Sequence, residues 1–255
     1  MTAKREQVKP PSLENLIEDE DIGLEVLHPG GLDITRELAQ LCHISLGSKV
    51  LEVASGTGES ACFLVQNFGC SFVGIDASDR MIERAKSKVS AKGLPAEFKK
   101  GDAHHLPFDD GTFDAVVSEC TVCILDKAQA IREMARVTKS GGYVGIHDLC
   151  WKEGAPEDLQ RRLVEIEGER PETLEGWRRL FEEAGLKDIR AIDKSDMIPR
   201  WSKEIKKKLG IMGQLKIFFK VIRTWGFSGF KTIIESERIF QSKYTGYGIL
   251  IGRKA

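Results

Sequence analysis

Between Lys49 and Asp148, short apolar runs that each close on a small or acidic residue alternate with stretches of helical periodicity. Lys49–Ala54 is followed by Ser55-Gly56-Thr57-Gly58. Ala61, Leu64, Val65 and Phe68 then recur at i, i+3, i+4 and i+7, the spacing of one helix face. Ser71–Ile75 ends at Asp76, and Ser78 is placed to cap a helix carrying Ile82, Ala85 and Val89 on one side. Gly93-Leu94-Pro95 breaks that helix before a short strand, Ala96–Lys99, that leads into Gly101-Asp102. Phe113–Ser118 is nearly all apolar, as a strand covered on both faces should be. Asp126 caps a further helix with Ile131, Met134, Ala135 and Thr138 in register; Gly141-Gly142 is its expected stop, and Tyr143–His147 the fifth strand. Thr173–Ala184 reads as a helix, and Leu186–Ile192 and Thr245–Ile251 as the last two strands.

Alternating βαβ units with short links require a parallel sheet with helices on both faces and ligands at the carboxyl ends of the strands. The expected fold is therefore α/β: a Rossmann-like, seven-stranded, mostly parallel sheet with a helical cap inserted before the last strand. The expected organisation is a leader over 1–27, a core over 28–194, a cap over 195–243 and the final strand over 244–255. The leader is polar and charged, is broken by Pro10-Pro11, and lacks the apolar core of a secretion signal. It gives way to the turn His28-Pro29-Gly30-Gly31 and a helix over Asp33–His43.

Charge is uneven. The whole chain carries −1, which supplies no global field for nucleic acid, yet Arg200 to Lys231 holds nine Lys or Arg and one Glu, +8, leaving −9 elsewhere. Within that stretch Leu215, Phe218, Phe219 and Ile222 share one helical face, and Lys216, Lys220 and Arg223 another. The expected role is a cap that packs its apolar face on the body; contact with a membrane surface or an anionic substrate is the competing one. No apolar run approaches the ~18 residues of a spanning helix, and six cysteines in 255 residues do not form a disulfide framework. A cytoplasmic location is expected.

The glycines at 56 and 58 let the backbone approach a ligand, with helix N–H groups beyond them pointing at it. Asp76 lies 20 residues after Gly56, where dinucleotide folds place the acid that accepts from a ribose diol. Gly56-Thr57-Gly58-Glu59-Ser60-Ala61 also fits G-x-G-x-x-A, so a nicotinamide oxidoreductase is an alternative reading. Glu52, inside the first strand, would repel a pyrophosphate and suits an ammonium. Asp102 suits an exocyclic adenine amine. A cationic, phosphate-free adenosine ligand fits these three acids better than NAD does.

These residues make the chain resemble the class I S-adenosylmethionine-dependent methyltransferases of the small-molecule type, similar to ubiquinone/menaquinone C-methyltransferases and arsenite methyltransferases. The likeness runs from about Ser48 to Asp148, through VLEVASGTGES (50–60), GIDAS (74–78), GDAHHLPFDDGTFDAVVS (101–118) and REMARVTKSGGYVGIHD (132–148). It implies S-adenosylmethionine as cofactor, S-adenosylhomocysteine as product, and a small-molecule acceptor. It also implies roles: Glu52 as the acid of the first motif, and Ala54, Ser55, Gly56 and Gly58 around the methionine moiety. Asp76 would take the ribose hydroxyls, and Ala77 and Met81 would pack near the adenine. Asp102 and Ala103, with His104 adjacent, would address the adenine edge, and Glu119 and Cys120 would line the methyl-donor pocket. The family usually has glycine where Ala54 stands.

Methyl transfer is an in-line displacement in which protein groups mainly position the nucleophile, so no triad is expected and none is evident. The candidate acceptor-side residues are His28, Cys120 and Cys150, with His147 near the pocket. Cys120, Cys123 and Cys150 follow the carboxyl ends of neighbouring strands, so three thiols could converge on a thiol or metalloid acceptor. Burial as small hydrophobes is the competing reading. A single C-x-x-C is weak evidence for zinc, and no metal site is expected. Ser118-Glu119-Cys120-Thr121 stands where a base-amine motif would follow the fourth strand, so nucleic acid is not an expected partner. A non-catalytic cofactor-binding protein is a further alternative. The acceptor and the oligomeric state have no signature in these residues.

Overall fold

The computed structural model describes residues 11–12 and 28–255; most of the expected leader lies outside the described residues. Eight strands form one sheet: β1 (Lys49–Val53), β2 (Ser71–Asp76), β3 (Ala96–Lys100), β4 (Phe113–Glu119), β5 (Thr138–Trp151), the two-residue β6 (Glu172–Thr173), β7 (Leu186–Asp193) and β8 (Thr245–Lys254). Their order is β3-β2-β1-β4-β5-β8-β7, with β6 pairing β5 off that path. The first five are parallel, and β8 runs antiparallel between β5 and β7. The chain moves outward from β1 to β2 and β3, then returns to β4 on the other side. That reversal opens a crevice above the carboxyl ends of β1 and β4, the place where doubly wound sheets bind ligands.

The helices are α1 (Gly31–Leu41), α2 (Glu59–Phe68), α3 (Asp79–Ala91), α4 (Lys127–Val137), α5 (Glu157–Glu167), α6 (Leu174–Glu183) and the long, broken α7 (Met197–Phe240). Ser78 and Asp126 cap as expected, accepting from the amides of Met81 and Gln129. The pleat sorts β1 to two cores. Leu51 and Val53 join Phe113, Trp177 and Phe181 on one side of the sheet, while Val50 joins Ile34, Leu38 and Leu64 on the other.

Four elements differ from expectation. α4 ends at Val137, not at Gly141-Gly142, because Thr138 leaves the helical region (φ −78, ψ 139) and its hydroxyl donates to the Met134 carbonyl at 2.7 Å. β5 therefore starts early and runs 14 residues through the glycines. A Cβ at Gly142 would lie 2.6 Å from the Asp114 carbonyl oxygen, so only glycine permits that approach. α5 lies in a stretch to which the sequence reading gave no element. And in α7 the apolar face expected to pack inward does so only in part: Phe218 and Ile222 are half-buried, with the Phe218 ring against Phe230, whereas Leu215 and Phe219 are exposed and the buried cluster is Val221 with Ile217 and Trp225.

α7 breaks at Gly210 and Gly226, both with positive φ. Its last turns are tied to the body. Arg162 donates to both oxygens of Glu235 at 2.7 and 2.8 Å, Ser236 hydrogen-bonds Glu167, and Ile239 enters the main core. Among the described residues no helix is long and apolar enough to cross a membrane.

Candidate active site

The β1 strand ends in a tight turn. Ala54 takes φ 60, and Gly56 and Gly58 take 50 and 75. A left-handed alanine is strained by ~1–2 kcal/mol, and this is the position where the resemblance leads one to expect glycine. A Cβ at Gly58 would sit 3.0 Å from the Ala85 Cβ and 3.1 Å from Phe98, so the turn packs directly on α3 and β3. A Cβ at Gly56 would meet nothing within 4 Å, leaving its backbone open to the crevice.

The acids surround this turn. Asp76 accepts the Gly56 amide at 2.9 Å through one oxygen and the Ser78 amide at 2.9 Å through the other. Glu52 is buried, and burial, with Glu119 nearby, pushes its carboxyl well above the usual range. Its Oε2 and the buried Ser55 Oγ have no hydrogen-bond partner. Two buried acceptors beside an open glycine backbone fit a ligand that brings N–H donors and positive charge, as the methionine end of S-adenosylmethionine does. Asp102 accepts from the His104 amide at 2.9 Å and faces its Nδ1 at 2.7 Å; these contacts hold its carboxyl below the usual range. His104 Nε2 accepts the Asp126 amide at 3.1 Å, which ties this loop to the start of α4. Ala103 packs against the main core, Met81 is buried, and Ala77 is exposed beside Asp76.

Past β4, Cys120 also takes a positive φ, 52, and its amide donates to the His147 carbonyl at 2.7 Å. Strained residues thus end both β1 and β4, the two strands that bound the crevice. Glu119 turns toward the start of α1, where Thr35 Oγ1 lies 3.2 and 3.0 Å from its two oxygens and His28 Nε2 lies 3.6 Å from Oε2. His147 is fully buried. Its ring lies 5.7 Å from that of His28 and 5.5 Å from that of Tyr247, and its Nδ1 is 3.9 Å from Cys120 Sγ. Burial, then the neighbouring His28, hold its pKa well below the usual histidine range, so the ring is neutral. His147 Nε2 and His28 Nδ1 are buried without partners.

Of the expected acceptor-side residues, the fold therefore brings His28 and Cys120 together. Cys150 does not join them. It is buried on β5 against Gly246, with Asp193 and Lys152 as charged neighbours, and burial pushes its thiol up to about 12. Cys120 and Cys123 share Asp148 as a neighbour, and burial and that acid raise both thiols well above the usual range. The expected convergence of three thiols is thus reduced to two, both protonated, and no thiolate stands ready for a soft acceptor. Sequence reasoning missed Thr35, Asp148 and Tyr247. Asp148 closes the stretch REMARVTKSGGYVGIHD without a role attached to it, Thr35 and Tyr247 lie in no motif, and Tyr247 reaches the site because β8 pairs antiparallel with β5.

Residues 50–142 match the family described as a methyltransferase domain. A phosphoethanolamine N-methyltransferase of Triticum aestivum is 30% identical over 168 residues, 66% of this chain and 33% of that protein. The methyltransferase GfsG of Streptomyces halstedii is 31% identical over 181 residues, 68% of this chain and 65% of that protein. The chain carries a class I S-adenosylmethionine-dependent methyltransferase domain. In fold, the methyltransferase superposes on the Haemonchus contortus phosphoethanolamine N-methyltransferase 2 bound to phosphomonomethylethanolamine and S-adenosylhomocysteine. There the TM-score is 0.78 at 19% identity, over 94% of this chain and 57% of that one. This methyltransferase thus spans about a third of the length of the wheat relative. Nothing in these likenesses supports the nicotinamide alternative.

Proposed function

We propose that this methyltransferase acts on a small-molecule acceptor seated at the carboxyl ends of β4 and β5 and the amino-terminal end of β8, beneath the turn that carries His28. The observation that carries the reading is the buried cluster of His28, Glu119, Cys120, His147 and Tyr247, which adjoins the cofactor crevice and holds ring nitrogens without partners. When bound, S-adenosylmethionine supplies an electrophilic methyl group on a sulfonium that is already a good leaving group.

The chain's residues do the rest. Glu52 and Ser55 receive the ammonium, and the turn at Ala54, Gly56 and Gly58 lies against the methionine chain. Asp76 holds the ribose diol. Ala77, Met81, Asp102, Ala103 and His104 frame the adenine. Glu119 and Cys120 separate the cofactor from the acceptor, and His28 closes over the acceptor so that water is excluded and its nucleophile faces the methyl group.

Radiolabelled methyl transfer to a panel of amines, alcohols and thiols tests this reading. His28→Ala should raise the acceptor KM ~10-fold or more with S-adenosylhomocysteine affinity unchanged; loss of cofactor affinity alone would place His28 on the wrong side of the site.

A second reading concerns the partner surface. Five of the seven large apolar side chains exposed among the described residues, Ile211, Met212, Leu215, Phe219 and Phe227, lie on α7. Lys203, Lys207, Arg223 and Lys231 are exposed on the same helix. Exposed apolar and basic groups along one helix suit an anionic lipid headgroup layer, and a +8 segment would repel a second copy of itself. The acceptor is then an amphipathic molecule met at that layer. Vesicles with phosphatidylserine should sediment the protein at low salt and pure phosphatidylcholine should not, and Phe219→Glu with Phe227→Glu should abolish the effect. Equal binding to both vesicles, or to neither, contradicts it.

A further inference from the structure

His28, Glu119 and His147 come from three separate places in the chain: the turn before α1, the end of β4 and the middle of β5. Each offers one ligand atom, and these atoms lie within 4.8 Å of one another. We infer that the three side chains form a binding site for a divalent transition-metal ion beside the methyl-donor pocket. The inference rests on the placement of the acceptor site proposed above.

The geometry is close to what coordination needs. Ligands held ~2.0–2.2 Å from a metal lie about 3–4 Å apart, and His28 Nε2 to Glu119 Oε2 already measures 3.6 Å. The widest pair must close by under ~1 Å, which small side-chain rotations supply. The donor set is two imidazoles and a carboxylate, which suits zinc, iron(II), cobalt(II) and their neighbours rather than magnesium or calcium. His147 Nδ1 is taken up by Cys120 and its Nε2 has no partner, so a ring nitrogen is left over for a ligand.

The surroundings complete the case. Thr35 Oγ1 bonds the Glu119 carboxylate at 3.0 Å and orients it, as groups behind metal ligands do. Glu52 is a further carboxyl near Glu119, and the cation near His147, Lys194, is paired with Glu37 at 2.7 Å. Glu119 is 4% exposed at its side chain, and its ion-pair partner among the described residues is His28. Three protein ligands leave coordination positions free, so an acceptor that bears an oxygen donor is the class this ion would hold.

Cobalt(II) added to the metal-stripped full chain is the test, followed by its visible absorption. The expected result is one equivalent bound, with the ligand-field bands of a low-coordinate site that zinc then bleaches. Cobalt affinity should fall at least 10-fold in His28→Gln and, less steeply, in Thr35→Val, with the far-UV spectrum of each variant unchanged. Absence of the bands in the wild type, or equal cobalt affinity in wild type and both variants, overturns the proposal. S-adenosylhomocysteine titration of the same samples keeps the two readings apart. Retained cofactor binding without cobalt binding sinks the metal site alone, whereas loss of cofactor binding in the wild type sinks the site placement on which it rests.

Discussion

Asp76 accepts the amide of Gly56 at 2.9 Å, so the acid that ends β2 holds the turn that ends β1. This single contact couples the ribose end of the proposed cofactor site to its methionine end. Asp76→Ala removes both the diol acceptor and the brace on the turn. S-adenosylhomocysteine affinity should fall ~10–100-fold, the loss of one to two charge-assisted hydrogen bonds. Asp76→Asn, which keeps one acceptor oxygen, should lose less, and calorimetric titration of both variants checks the ranking.

Ala54 sits at φ 60. Ala54→Gly removes a strain of ~1–2 kcal/mol and costs ~0.4–1 kcal/mol of added freedom in the unfolded chain. The net expectation is a gain of a few tenths to about 1 kcal/mol in urea unfolding. Ala54→Val, β-branched in the same region, should destabilise instead.

Gly58→Ala should be worse than its size suggests. The position has φ 75, and the added carbon would press on Ala85 at 3.0 Å and Phe98 at 3.1 Å. Strain and overpacking together predict a loss of ~2 kcal/mol or more. Cofactor affinity should fall in parallel, because the same turn begins α2.

Glu133 braces the loop that carries Asp102 and His104. Arg136 Nε and Nη2 donate to its two oxygens at 2.7 and 2.8 Å, and the Leu106 amide donates at 2.8 Å. Arg136, then the Leu106 amide, hold its pKa below the usual 4.5 against a smaller burial effect. A carboxyl lowered on folding stabilises the fold above its unfolded pKa, and that stability disappears as pH falls through the folded value. Glu133→Gln should therefore cost ~1 kcal/mol at pH 7, with the gap to wild type closing at pH values below 4.5. Chemical unfolding of both proteins across that range is the check.

The strand-helix alternation from Lys49 to Asp148 was readable because each strand is short, apolar and closed by a glycine or acid, and each helix shows one periodic face. The length of β5 was not. Its start depends on Thr138 folding its hydroxyl back onto Met134, a side-chain bond that apolar periodicity does not register, and on Gly142 admitting the Asp114 carbonyl of the neighbouring strand. On the cofactor side, Glu52, Asp76 and Asp102 stood out because they sit at strand ends with family spacing. On the acceptor side, His28, Glu119, Cys120 and His147 could be named but Thr35 and Tyr247 could not. Thr35 reaches Glu119 only through the placement of α1, and Tyr247 reaches His147 only through the antiparallel insertion of β8. Cys150 lies three residues beyond His147 on β5, where the pleat turns its side chain to the other face of the sheet, against Gly246. The exposure of Leu215 and Phe219 on α7 is not legible in the pattern, because periodicity defines a face but not what covers it.

Calorimetric titration of the wild type with S-adenosylhomocysteine, and in parallel with NADH, tests the central claim most directly. The account predicts one S-adenosylhomocysteine bound per chain with ~micromolar affinity and no NADH binding. NADH binding, or binding of neither ligand, would contradict the assignment of Glu52, Asp76 and Asp102 to a cationic adenosine cofactor, and the acceptor site built beside it would go with it.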